Sequence, residues 1–182
     1  MTEATIVMGF RWLLFVVMAV IAIGSSLMMV TRKNPIHSAV WLIVAFCSVA
    51  GLYVLLNATF IAIAQVMVYA GAIMMLVLFV IMLIHLEAGP QLSARKSAAK
   101  VIGAVITVLL FVQVLGAFVV YGNVGKKGAY SAQALQAMGN AQAVGTVLYG
   151  KYAFAFEIAS VLLLVGIIGA VVLAKKTKDY RG

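Results

Sequence analysis

Few side chains in this chain could do chemistry, and they are scattered. Glu157 is the one acid set inside an apolar run, about one turn into a stretch that begins near Ala153. A carboxylate at that depth in a membrane is costly unless paired or wetted. It is a proton-accessible site, an ion pair with another subunit, or an interface carboxylate reaching outward to water or to Lys151. Gln65 and Tyr69 lie four residues apart, which places them on one face of a helix. Gln65 can hydrogen-bond and hold a water, but it releases no proton at physiological pH. Gly71 follows closely, and glycine lowers the cost of distorting a helix. His37 and His85 fall at the ends of apolar runs and read as interface histidines, because paired haem ligands face each other at helix depth. Cys47 is the only cysteine, so no intramolecular disulfide or cysteine cluster can form. It reads as a small buried hydrophobe. No phosphate loop, dinucleotide fingerprint or carboxylate pair is present.

Residues 60–84 position Gln65, Tyr69 and Gly71. They run 25 residues without a charge, long enough to cross a bilayer. A hydroxyl and a glycine at mid-membrane are more than a plain lipid anchor needs, because polar groups there want a protein or water partner. Met67, Met74, Met75 and Met82 fall close to one helical stripe, a seam of adaptable side chains beside Gly71. Five such spans are expected, at about 10–30, 36–56, 60–84, 101–121 and 153–174. Asn57 can end the second and Thr59 can cap the third, which makes those two an antiparallel pair. Gln113 in the fourth span suits an interhelix hydrogen bond, and Gly166 with Ala170 in the fifth suits close helix approach. The segment at about 122–152 is rich in Gly, Ala, Gln and Asn. Its glycines favour irregular backbone, with a short surface helix over Ala132–Met138 as a weak alternative.

Composition agrees with an all-α integral membrane protein. The chain has 182 residues, is 66% hydrophobic and only 9% charged, too little charge to cover a soluble globule. Its net charge of +9 therefore reads as topology, not as nucleic-acid binding. Arg32, Lys33, Arg95, Lys96, Lys100, Lys175, Lys176, Lys178 and Arg181 fall on one side of five crossings, nine of the thirteen basic residues. Arg11, Lys126, Lys127 and Lys151 fall on the other. The positive-inside rule then predicts an external N-terminus and a cytoplasmic C-terminus. The start of the chain does not read as a cleavable signal.

Three stretches carry a resemblance to a known family. They are Asn34-Pro35-Ile36-His37-Ser38-Ala39, then Val68-Tyr69-Ala70-Gly71-Ala72-Ile73 followed by Phe79-Val80-Ile81-Met82-Leu83, and then Gly145 to Lys175. The chain resembles subunit J of proton-translocating NADH–quinone oxidoreductase, the bacterial counterpart of mitochondrial chain six. The resemblance implies five transmembrane helices and a π-bulge in the third, around Tyr69, Ala70, Gly71 and Ala72. It implies that this bulge converts to α-helix and gates a water path. It implies partners in the quinone-site subunit and the small antiporter-like subunits. NADH, FMN, iron–sulfur clusters and quinone would belong to the holoenzyme, with no cofactor or metal on this chain. Some relatives carry a glutamate where Gln65 stands, which removes a direct protonic role at that position here. Other readings are the equivalent subunit of a hydrogenase-type or F420-linked pump, an independent ion channel or carrier, and a structural spacer with Gly71 serving close packing.

Overall fold

Apolar runs with satisfied internal backbone bonds become helices in a bilayer, and five here are long and apolar enough to cross one. The computed structural model describes residues 2–84, 96–121 and 137–175. Helix α1 is Thr2–Thr31 and α2 is Pro35–Leu55. The third span is built of three consecutive pieces: α3 (Thr59–Ala64), a π-helix (Gln65–Ile73) and α4 (Met74–Leu83). Helix α5 is Lys96–Tyr121, α6 is Asn140–Tyr149 and α7 is Ala153–Ala174. There is no strand among the described residues. The expected spans match closely, except that α1 begins well before Phe10 because nothing in its first turns breaks a helix.

Local sequence sets the ends. Asn34 is the N-cap of α2, and its side-chain oxygen accepts the Ile36 N–H at 2.9 Å. Pro35 follows at the first helical position, where its missing N–H costs nothing. At the other end, Asn57 adopts the left-handed conformation, φ 59°. The Asn57 N–H bonds Val54 O at 3.0 Å and the Ala58 N–H bonds Tyr53 O at 2.9 Å. These two bonds form a Schellman motif, with asparagine in the place glycine usually takes. The expected Thr59 cap is absent. Ala58 occupies the N-cap position, its side chain offers no hydrogen-bonding group, and Thr59 already lies inside α3.

Apart from Met74, the core is made of small residues. Ser25, Ala39, Ala45, Ser48, Ala50 and Ala62 are buried along α1, α2 and the third span, with α2 packed between the other two. Small side chains let backbones approach, the main source of packing between helices in lipid. At Gly51 a β-carbon would stand 2.9 Å from Met18 Sδ, so α1 and α2 are in close contact there. The two buried serines bond back to their own helices, Ser25 Oγ to Ile21 O at 2.6 Å and Ser48 Oγ to Ala45 O at 2.8 Å. Among the described elements, α5 packs on no other, and α7 packs only on α6. Gln113 therefore has no interhelix partner within the described chain.

Two expectations are corrected. Residues 140–149, expected to be irregular, form α6, and Gly145 lies inside it. The segment's alanines and its Gln142, Val144, Val147 and Leu148 sustain a helix that packs on α3, and tertiary packing outweighs one glycine. Most of the alternative helix at Ala132–Met138 lies outside the described residues. Cys47 is exposed on α2, because that helix buries its alanine and serine face.

Candidate functional site in the third span

The distorted segment is a π-helix of nine residues, QVMVYAGAI. A π-turn closes over five residues where an α-turn closes over four. The exit shows this pattern: the Met74 N–H reaches Tyr69 O, five residues back, as well as Gly71 O. Gly71 sits at a close backbone approach. A β-carbon there would lie 3.2 Å from Val66 O, the carbonyl five residues earlier in its own helix. Glycine removes that contact, and its neighbours Ala70 and Ala72 are small.

Tyr69 is held by its ring. It packs edge-on against Phe46 of α2, with centroids 5.7 Å apart and an interplanar angle of 67°. Gln65, on the same span, is half-buried, and neither Gln65 nor Tyr69 makes a side-chain hydrogen bond among the described residues. Each thus keeps a polar group free inside an apolar segment. From the end of the π-helix onward, Ala72, Met75, Phe79 and Met82 line, with Ile36 of α2, an open apolar groove of about 650 Å³.

The methionine seam is not one face. Met74 is 2% exposed, whereas Met67, Met75 and Met82 are 68%, 72% and 64% exposed. Each residue of a π-helix advances less around the axis than in an α-helix, so a spacing of seven across Gln65–Ile73 no longer returns to the same side.

Glu157 lies apart from this site. It is exposed on α7, and no ion pair to it is formed among the described residues. Lys151 lies over the Tyr152 ring instead, 5.7 Å from its centroid. His37 is exposed in the first turn of α2. His85 lies outside the described residues.

Sequence reasoning missed Asn140. Its Oδ1 accepts the Phe60 N–H at 3.0 Å and its Nδ2 donates to Asn57 O at 2.9 Å. One side chain thereby clasps the turn between α2 and the third span. The pairing spans 80 residues or more, so no local pattern announces it.

The family model for NADH-ubiquinone/plastoquinone oxidoreductase chain 6 matches residues 25–173. The chain belongs to that family. The match takes in the end of α1, all of α2, the third span, α5 and α6, and nearly all of α7. Within the chain 6 family, the chain is 36% identical over 160 residues to NADH-quinone oxidoreductase subunit J of Rhodobacter capsulatus, covering 87% of this chain and 79% of that one. It is 34% identical over 179 residues to NADH-ubiquinone oxidoreductase chain 6 of Marchantia polymorpha, covering 93% and 90%. It is 33% identical over 172 residues to NAD(P)H-quinone oxidoreductase chain 6 of Synechocystis, covering 92% and 82%. The π-helix thus sits in the third span of a chain 6 protein.

Proposed function

We propose that this chain is a core membrane subunit of a proton-translocating NADH–quinone oxidoreductase, and that its third span couples quinone reduction to proton movement by exchanging π for α hydrogen bonding. The observation that carries this reading is the π-helix Gln65–Ile73, placed in an uncharged membrane-length helix of a chain 6 protein. π-Segments occur mostly at functional sites. Gly71 relieves the contact that a side chain would make with Val66 O. The unbonded Gln65 amide and Tyr69 hydroxyl can hold water near the segment when it rearranges. Proton carriage belongs to acids on neighbouring subunits.

The proposed setting is the bacterial cytoplasmic membrane, with the N-terminus outside and the C-terminus in the cytoplasm, as the basic residues favour. The partners are the quinone-site subunit and the small antiporter-like subunits. NADH, FMN, iron–sulfur clusters and quinone belong to the holoenzyme, with no redox centre on this chain. Affinity purification of the tagged chain in mild detergent tests the assignment. The preparation should contain the other oxidoreductase subunits and reduce quinone with NADH. Copurifying hydrogenase or F420-linked subunits would reassign it to a related pump. A chain recovered alone that conducts ions in liposomes would refute the subunit reading.

A further inference from the structure

The start of the third span lacks a local cap. The first amides of a helix have no partner within it, and α3 begins after Ala58, which cannot supply one. Phe60 is the second residue of α3, a position whose N–H an N-cap side chain ordinarily satisfies. Here that N–H is taken by Asn140 Oδ1 at 3.0 Å, from 80 residues away. The same amide group donates Nδ2 to Asn57 O at 2.9 Å, on the residue that closes the Schellman turn. Both halves of one side chain are thus used, one on each side of the turn.

Asn140 is also the first residue of α6, which packs along α3. The far end of α6 is fixed too, because Tyr149 packs edge-on against Phe156 of α7 with centroids 4.9 Å apart. Helix α6 is therefore a strap from the start of the third span to the start of the fifth. Only α3, six residues long, separates the clasp from the π-helix.

We propose that Asn140 is a positioning residue for the third span: it is the N-cap of that helix supplied in tertiary contact, and it pins one end of the span so that rearrangement in Gln65–Ile73 is transmitted to α4. The cap stands on the hydrogen bonds alone. The transmission rests on the hinge reading given above.

The test uses the intact complex carrying Asn140→Ala or Asn140→Asp. Aspartate is an acceptor and a good N-cap, but it cannot donate to Asn57 O. Hydrogen exchange over residues 57–62 reads the cap directly. Asn140→Ala should speed exchange at Phe60 by about fivefold, the size of a lost N-cap, and should lower the protons translocated per electron. Asn140→Asp should restore most of the Phe60 protection and most of that ratio. NADH oxidation by a water-soluble acceptor should stay normal in both. Unchanged exchange in Asn140→Ala would overturn the cap. Faster exchange with a wild-type proton ratio would overturn the positioning role. If Asn140→Ala fails to assemble, Asn140→Asp decides: a protected Phe60 supports the cap, and an unprotected one overturns it. Gly71→Ala in parallel separates the two readings. Wild-type coupling there, with Asn140→Ala impaired, would sink the hinge and leave the cap standing.

Discussion

Gly71→Ala is the sharpest test of the third span. The added methyl would stand 3.2 Å from Val66 O, closer than a carbon and a carbonyl oxygen sit comfortably. That oxygen lies five residues back, within reach only because the segment is π-wound. Alanine favours helix over glycine by about 1 kcal/mol, but that gain applies to the α and π forms alike. What differs is the contact. Relieving it by a few degrees of backbone distortion costs about 1 kcal/mol, which shifts the π-to-α balance about fivefold toward α. If turnover visits both forms, coupled NADH–quinone turnover or protons per electron should fall by about two- to fivefold. Assembly should be nearly normal, and so should NADH oxidation by a water-soluble acceptor. Gly24→Ala is the matched control, since nothing lies within 4 Å of a β-carbon there. The assay is proton uptake and quinone reduction by the reconstituted complex. Wild-type rate and ratio in Gly71→Ala would refute the hinge and favour a packing role for this glycine.

Other positions make separate demands. Gly51→Ala should be tolerated, because the crowded atom is the Sδ of the flexible Met18; Gly51→Leu should overpack the α1–α2 contact by roughly 1–3 kcal/mol and lower the yield of assembled complex, and wild-type yield would contradict that packing. Glu157→Gln should cause only a modest loss of proton pumping, because Glu157 lies about one turn into α7, near the membrane face, where water can stabilise its charge; abolished pumping in a normally assembled complex would make it a proton carrier. Reporter fusions at both termini should place the N-terminus outside and the C-terminus in the cytoplasm, and a cytoplasmic N-terminus with five spans would overturn that topology.

The spans were legible because uncharged runs of membrane length leave the backbone little choice. The unusual winding at Gln65–Ile73 could be anticipated from Gly71 beside Tyr69 together with the family resemblance. Its nine-residue extent could not, and that extent is why Met74 turns inward while Met67 and Met75 stay out. Asn57 could be read as a helix stop, since asparagine tolerates left-handed backbone. Thr59 misled because its residue type suits a cap, while the chain enters the helix one residue too early for it to serve. Asn140 was illegible for a different reason. Its partners are backbone groups of Asn57 and Phe60, and backbone groups leave no mark in a sequence.

A π-helix also has a geometric consequence. It holds surplus residues in a length that α-winding would fill with fewer. Rewinding such a turn as α changes the phase of everything beyond it by about 100° for each residue released, one step of a 3.6-residue screw. With the α3 end held by Asn140, the twist has one direction in which to go. Met74–Leu83 would rotate about its own axis like a key, carrying Met74 off the face it now fills and presenting a sequence neighbour there. A small exchange of backbone bonds would thereby change which side chains the lower half of the span shows to its surroundings, with little movement along the membrane normal.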